Sequence, residues 1–227
     1  MKKYTHTIIF LHGFTMKAEE MIYFKNKINT ILKDSIIKDS IKDNKKDKNK
    51  LRIKYIFPQA PKRKISIYNG KIYTAWFDYL SENIFTEEEI NSDHLFSSCD
   101  KIHKLIDKEV LYHTDPTKVF IGGYSQGCGM ALTAGLTYPK KLGGIIGFKG
   151  IIHKETYLKK IYKQNIWVTN GKKDKTIGYD IVKKLYNDLI KKGYNLTFLS
   201  QENVNHGMRS GIIEQMISLK KWLDKLL

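Results

Sequence analysis

Cysteine is scarce in this sequence: Cys99 and Cys128 are its only two cysteines in 227 residues. Two cysteines make no disulfide framework, and their spacing fits no zinc-binding motif, so a disulfide-rich scaffold and a zinc domain are both excluded. We interpret Cys128 as a small helix residue that packs against a sheet. The sequence therefore predicts no metal site.

Long apolar runs are also absent, because no stretch approaches the ~18 consecutive apolar residues that a membrane-spanning helix needs. The N-terminus leads into only about five apolar residues before His12, too few for the core of a secretory signal. Lys2 excludes N-myristoylation, and residues 224–227 contain no prenylation cysteine. We therefore expect an intracellular, cytoplasmic protein.

Charge is unbalanced: 40 lysines and arginines stand against 23 aspartates and glutamates, a formal net charge of +17. A basic chain of this kind can bind nucleic acid. The lysines, however, are spread along the whole chain without an arginine-rich cluster or a recognisable nucleic-acid module, so we predict no nucleic-acid partner. A basic surface is attracted to anionic cytoplasmic leaflets, and peripheral membrane contact is compatible with this charge. The sequence indicates no oligomeric state.

Apolar residues make up 41% of the chain and aromatic residues 12%, which excludes general disorder. A chain of this length can bury a substantial core, so we predict one domain, residues 1–227. Strands alternate with helices, and the central strands are β-branched runs without strict polar alternation. This pattern is typical of an α/β fold with a mostly parallel central sheet and helices on both faces.

Hydrophobic periodicity and turn residues define the predicted elements. Strands are predicted at residues 4–11, 51–57, 142–148, 165–171 and 195–199, and at the apolar run that begins at Val119. Helices are predicted at residues 18–32, 92–113, 157–162 and 180–192, between Ser125 and Pro139, and at the C-terminus. The later part of residues 33–50 has almost nothing apolar to bury, so we predict a mobile surface insertion there.

The segment Gly123-Tyr124-Ser125-Gln126-Gly127 matches Gly-x-Ser-x-Gly, the nucleophile elbow. It follows an apolar strand and precedes a helix, which is the setting that this motif requires. The serine must adopt a strained backbone, and both glycines must lack a Cβ because strand and helix pass very close to each other. We predict that Ser125 is a catalytic nucleophile; the alternative is a glycine-rich turn with an idle serine.

Two further residues, Asp174 and His206, each come just after a predicted strand. Ser, Asp, His is the chain order of the α/β-hydrolase triad, in which the imidazole takes the serine proton and the carboxylate orients the imidazole. Asp180 lies in a predicted helix, and His153 follows a strand but precedes Asp174 in sequence, so neither fits this order. We predict a triad of Ser125, Asp174 and His206; a surface-loop histidine is the alternative for the last.

The first predicted strand runs into His12-Gly13, where hydrolases of this class place the first oxyanion-hole loop. We interpret the His12 side chain as a structural turn residue and assign the backbone N–H of Phe14 to the hole. The second donor is the backbone N–H of the residue after the nucleophile, Gln126.

Residues 62–91 form a long, irregular predicted loop that is rich in aromatic side chains. A long loop inside a compact domain is usually functional, and its apolar character indicates that it lines the binding site of an apolar ligand. We predict that Trp76 and Phe77 contact the substrate. The alternative is a satellite core that packs beneath a loop.

Taken together, these segments resemble one known family. They are residues 10–13 (FLHG), 55–61 (YIFPQAP), 76–78 (WFD), 122–127 (GGYSQG), 171–174 (GKKD) and His206. In their positions and spacings they resemble the acyl-protein thioesterase and lysophospholipase-like carboxylesterase family. The resemblance covers nearly the whole chain apart from residues 33–50.

The resemblance implies an α/β-hydrolase fold and a cytosolic serine hydrolase that works through an acyl-enzyme. The implied substrates are S-acylated proteins, which would lose long acyl chains such as palmitoyl, and lipid or small aryl esters. It implies no metal and no organic cofactor. Carboxylesterase or lysophospholipase activity is the alternative, and a non-catalytic ligand-binding scaffold of the same fold is a further one.

Two departures from the family pattern concern substrate preference. The loop after Gly13 continues with Phe14, Thr15, Met16 and Lys17, where the family usually has a further glycine and acidic or small residues. Cys128 replaces the usual glycine after the elbow. Neither change removes a predicted catalytic group.

Overall fold

The computed structural model describes residues 3–42, 51–81 and 89–227, with the side chains of all of these except residues 33–42. The described strands are β1 (His6–Leu11), β2 (Ile53–Ile56), β3 (Lys62–Ile65), β4 (Lys71–Thr74), β5 (Val119–Tyr124), β6 (Gly144–Phe148), β7 (Asn165–Gly171) and β8 (Asn195–Gln201). All except β3 and β4 form one parallel sheet in the order β2-β1-β5-β6-β7-β8. Strands β3 and β4 form a separate antiparallel pair.

The helices cover the sheet on both sides. They are α1 (Ile22–Lys42), α2 (Ser92–His113), α3 (Gln126–Thr137), α4 (Tyr179–Lys191) and α5 (Ile212–Leu223). Short 3₁₀ turns lie at Ala18–Met21, Ser66–Tyr68, Pro116–Lys118 and Lys154–Leu158. Within the described ranges, none of these helices combines the length and apolar character needed to cross a bilayer.

Successive side chains of a strand point to opposite faces, so each central strand serves two cores. In β1, Ile9 and Leu11 pack with the buried residues of α2, α3 and α4. Ile8 and Phe10 pack on the other face with those of α1 and α5. Because both of their faces are buried, the central strands β1, β5, β6 and β7 read as largely apolar runs, and the predicted parallel α/β fold is confirmed.

The helix α2 begins and ends at the predicted residues. Its N-cap is Asn91, whose side chain accepts a hydrogen bond from the backbone N–H of His94. Thr114 ends the helix in a left-handed conformation with φ 62°. These local signals explain why the prediction was accurate here.

Three predicted segments differ in the structure. Helix α1 continues to Lys42 instead of ending at residue 32, because residues 33–42 contain no proline or glycine that would end a helix. The rest of the predicted insertion, residues 43–50, lies outside the described residues. The helix predicted at 157–162 is instead the 3₁₀ turn at Lys154–Leu158, and β8 extends to Gln201.

The prediction that residues 62–91 are wholly irregular was wrong. Residues 62–74 form the β3–β4 hairpin, and residues 82–88 lie outside the described part of the chain. The turn contains Asn69 and Gly70, with φ values of 53° and 73°. An Asn-Gly pair between short strands is a strong hairpin signal, because both residues tolerate the left-handed region.

Candidate active site

The three predicted catalytic residues lie at the carboxyl end of the parallel sheet. Ser125 directly follows β5, Asp174 follows β7 and His206 follows β8. Ligands of open α/β sheets bind at this edge, because the loops after the strands converge there. The structure therefore brings together side chains that are far apart in the sequence.

The turn at Ser125 has the strained geometry that the motif predicts. Ser125 has φ 55° and ψ −123°, and its N–H donates to the carbonyl of Phe148 at 2.9 Å. A Cβ added to Gly123 would lie 2.1 Å from the carbonyl oxygen of Gly127. A Cβ added to Gly127 would lie 2.3 Å from the carbonyl oxygen of Leu11. Only glycine fits both positions, because the clashing atoms are backbone atoms of the packed core.

A continuous hydrogen-bonded chain joins the three side chains. The Oγ of Ser125 lies 2.9 Å from Nε2 of His206, and Nδ1 of His206 lies 2.8 Å from Oδ2 of Asp174. The carboxylate accepts the Nδ1 proton, which leaves Nε2 as an acceptor for the serine hydroxyl. An imidazole held in this tautomer can act as a general base.

The carboxylate of Asp174 is buried and fixed in place. Its side chain is fully shielded from solvent, whereas that of His206 is 20% exposed. The other carboxylate oxygen, Oδ1, accepts the backbone N–H groups of Thr176 and Ile177, both at 2.9 Å. The acid is therefore oriented by its own loop, and the hydroxyl end of the chain is the end that faces solvent.

The loop after β1 passes beside the nucleophile. A Cβ on Gly13 would lie 3.3 Å from the Cβ of Ser125, and the N–H of Thr15 donates to the carbonyl of Thr74 at 3.0 Å. In the described residues, the N–H groups of Phe14 and Gln126 donate to no protein acceptor. Gln126 is the first residue of α3, where a helix leaves N–H groups free and favours negative charge.

His12 has the structural role that was predicted for it. It is fully buried; Nδ1 donates to the carbonyl of Gly13 at 2.7 Å, and Nε2 accepts the backbone N–H of Ala60 at 3.0 Å. Burial lowers the pKa of the imidazole, so the neutral ring is favoured. Both ring nitrogens hold backbone groups, and the side chain shapes the turn.

Trp76 and Phe77 lie under the site, with exposed fractions of 3% and 0%. The indole N–H of Trp76 donates to the carbonyl of His12 at 2.8 Å. The side-chain amide of Gln126 accepts the N–H of Trp76 and donates to the carbonyl of Phe77, both at 2.9 Å. Both side chains belong to the main core, together with Ile9 and Leu11, so they form neither an exposed wall nor a separate satellite core. Their hydrogen bonds hold the loop after β1 and the start of α3 on either side of Ser125.

Partly exposed aromatic rings lie above that layer. The ring of Phe14 contacts those of Tyr68, Tyr73 and Tyr79, with centroid separations of 5.5 to 5.8 Å. Phe14 directly follows Gly13, whose backbone passes beside Ser125, so the cluster is attached to the loop that flanks the nucleophile. Sequence analysis noted the aromatic richness of this segment but did not identify which rings are exposed.

Sequence analysis missed two side chains that hold the His206 loop. The hydroxyl of Tyr124 donates to the carbonyl of His206 at 2.5 Å. The ammonium of Lys149 donates to the carbonyls of Gly207 and Ser210 at 2.5 and 2.8 Å. For Lys149 the sequence did offer a signal, a lysine directly after the apolar strand β6. Lysine is seldom fully buried unless its ammonium has a partner, so its position pointed to a specific contact.

A serine at a strained strand–helix turn, followed in sequence by a buried acid and a histidine that it orients, is the arrangement of an α/β hydrolase. The profile of the Phospholipase/Carboxylesterase family matches residues 1–227. The chain belongs to this family, and the predicted family is confirmed.

Individual relatives agree with this assignment. Acyl-protein thioesterase 1 of Schizosaccharomyces pombe is 34% identical over 149 residues, 66% of this chain and 57% of that protein. A probable carboxylesterase of Arabidopsis thaliana, SOBER1-like, is 26% identical over 178 residues, 76% of this chain and 66% of that protein. The matches thus span just over half to about two thirds of these two relatives.

The fold is shared with solved structures. The crystal structure of Arabidopsis thaliana SOBER1 superposes with a TM-score of 0.75 at 20% identity, covering 97% of this chain and 98% of that one. At this identity the likeness concerns the fold alone. The names of the sequence relatives support the predicted thioesterase or esterase class of function.

Proposed function

We propose that this protein is a serine hydrolase of acyl thioesters and esters, with S-acylated proteins as the main substrates. The observation that carries the proposal is the hydrogen-bonded chain Ser125–His206–Asp174, with its partly exposed serine end. The name acyl-protein thioesterase among the relatives favours the thioester substrate.

In the proposed reaction, Oγ of Ser125 attacks the acyl carbonyl carbon while its proton passes to Nε2 of His206. The N–H groups of Phe14 and Gln126 stabilise the negative oxygen of the tetrahedral intermediate. The intermediate collapses, the leaving thiol or alcohol takes the proton from His206, and the acyl group remains on Ser125. Water then attacks the acyl-enzyme by the same route, with Asp174 stabilising the imidazolium in both halves.

The substrate side of the proposal rests on the surface beside Ser125. The aromatic cluster of Phe14, Tyr68, Tyr73 and Tyr79 offers apolar area to an acyl chain next to the nucleophile. The net charge of +17 favours peripheral contact with anionic leaflets, where lipid-modified substrates reside. Because anionic leaflets of this kind face the cytoplasm, we infer a cytoplasmic site of action.

Carboxylesterase or lysophospholipase action on small or lipid esters is the second candidate. The name carboxylesterase among the relatives favours it. The departure from the family pattern at residues 14–17 also leaves room for it, because this loop flanks Ser125 and its side chains affect which substrates enter.

Two assays test the proposal together. A fluorophosphonate probe should label the wild-type protein and not Ser125→Ala, and the wild type should hydrolyse a palmitoyl thioester peptide faster than the matched oxygen ester. Labelling with oxygen-ester cleavage alone would support the carboxylesterase candidate. A wild-type protein that the probe does not label would be a non-catalytic scaffold.

A further inference from the structure

Lys149 is a buried lysine next to the active site. It follows β6 directly, is 1% exposed and has a left-handed backbone with φ 52°. Burying an ammonium and straining a non-glycine backbone both cost stability, so such a residue needs compensation. In the described residues its ammonium has no carboxylate within ion-pair distance.

The ammonium is satisfied by the loop that carries the catalytic base. It donates to the carbonyl of Gly207 at 2.5 Å and to that of Ser210 at 2.8 Å. Both carbonyls lie just after His206 in the chain. A charged donor forms stronger hydrogen bonds than a neutral one, so this contact holds the loop against the end of β6.

The backbone around Lys149 contacts the other two catalytic segments. The carbonyl of the preceding residue, Phe148, accepts the N–H of Ser125 at 2.9 Å. The N–H of Lys149 itself donates to the carbonyl of Thr169 at 2.8 Å, on the strand that leads to Asp174. One position of the chain is thus connected to the segments of the nucleophile, the acid and the base.

We propose that Lys149 is a positioning residue for the hydrolase reaction proposed above: it holds the His206 loop so that the imidazole meets Ser125 and Asp174 at once. The inference rests on that function but concerns a different residue and a different measurement. Burial lowers the pKa of Lys149 to about 8, and the nearby carboxylate of Asp174 opposes the shift.

The experiment compares Lys149→Met with Lys54→Met. Methionine keeps an apolar stem of similar length and removes the donors. Lys54 is the matched control. It lies on β2, an edge strand of the sheet away from the triad, and its ammonium donates to the carboxylate of Glu109 on α2 at 2.6 Å. Turnover of an aryl ester is measured per site titrated with a fluorophosphonate, so unfolded protein does not count.

The expected result is a fall of about 10- to 100-fold in kcat per titrated site for Lys149→Met, with KM within about twofold, because a misplaced base slows chemistry and not binding. The low-field proton resonance of the His206 Nδ1–H should shift or broaden. Lys54→Met should lose thermal stability but keep kcat per site within about twofold.

Several outcomes would overturn the inference. An unchanged kcat per site and an unchanged Nδ1–H resonance in Lys149→Met would show that the ammonium does not position the base. Lys149→Gln, which retains an N–H donor, should recover part of the lost rate. If neither variant folds, the residue is structural and the positioning role is wrong. A wild-type protein that neither labels nor hydrolyses would instead refute the proposed function.

Discussion

Ser125 and His206 lie 2.9 Å apart, Oγ to Nε2, yet the segments that hold them are built differently. The serine turn is fixed by backbone packing, since Gly123 and Gly127 lie against carbonyl oxygens with no room for a Cβ. The histidine loop packs its Val204 backbone on Gly171, but near His206 itself it is held by side chains from elsewhere in the chain, the hydroxyl of Tyr124 and the ammonium of Lys149.

The difference concerns how each segment is encoded. Steric constraints within a turn leave a short sequence pattern, because the residues that need glycine are neighbours of the serine. Hydrogen bonds between a side chain and a distant carbonyl leave no pattern, because any residue can supply the carbonyl. The bonds of Tyr124 and Lys149 to the histidine loop span 82, 58 and 61 residues.

Removing the reacting groups should have the largest effect. Ser125→Ala and His206→Ala should each lower kcat by about 10⁴-fold or more, because one lacks the nucleophile and the other the base that activates it. The double variant should be no worse than Ser125→Ala, since the residues act as one unit. Steady-state kinetics on an aryl ester measure this, and retention of the wild-type melting temperature is the control. Multiplicative losses would show that the two do not act together.

Asp174→Asn should cost somewhat less, about 10³- to 10⁴-fold in kcat, because serine and imidazole remain while the tautomer and the imidazolium lose support. Asp180→Asn is the matched control, since Asp180 lies in the first turn of α4. Kinetics on the same ester decide between them. Near full activity in Asp174→Asn together with a loss in Asp180→Asn would show that the acid is misassigned.

The predictions from sequence succeeded where local rules decide the structure. The parallel α/β fold, the bounds of α2 and the turn at Ser125 follow from apolar runs, an N-cap and two glycines. Asp174 and His206 were identified from their positions after strands and their chain order, and the structure brings them together.

Long-range packing decided the rest. Whether Trp76 and Phe77 face a substrate or a core depends on Gln126 and the carbonyl of His12, which lie far away in the sequence. The β3–β4 hairpin is a different case, because Asn69-Gly70 is a local signal that was available and was not used. Lys149 could be noted as unusual, but its partners could not be predicted.

A glycine exchange tests the steric half of the comparison. Gly123→Ala should destabilise the fold by about 3 kcal/mol or more, because its Cβ would lie 2.1 Å from a backbone oxygen that cannot move alone. Gly207→Ala is the counterpart in the histidine loop, where the Cβ would meet only the side chain of Asn205 at 3.1 Å. Its cost should be within about 1 kcal/mol by urea denaturation. Equal costs would remove the distinction between the two segments.

Tyr124→Phe tests the hydrogen-bonded half. It removes the hydroxyl that donates to the carbonyl of His206 but keeps the aromatic ring, and the residue is only 7% exposed. A lost hydrogen bond of about 1 to 1.5 kcal/mol corresponds to roughly a tenfold fall in kcat at most. KM should stay within about twofold, since no substrate contact is removed. A matching rise in KM would assign the hydroxyl to binding instead.

The last prediction concerns the pH dependence of stability. Burial lowers the pKa of Lys149 from its usual 10.5 to about 8 in the folded protein, so between these values the unfolded chain binds more protons than the folded one. This group therefore makes the free energy of unfolding rise with pH across that window, by up to about 1.4 kcal/mol per pH unit, and has no such effect below pH 8.

Urea denaturation of the wild type and of Lys149→Met at several pH values isolates the contribution of Lys149, because the other titrating groups cancel in the difference. Ser125→Ala, which changes no titrating group, should show a constant difference from the wild type. A constant difference for Lys149→Met as well would mean that the ammonium is not strained by burial, and the histidine loop would then be held at less cost than its geometry indicates.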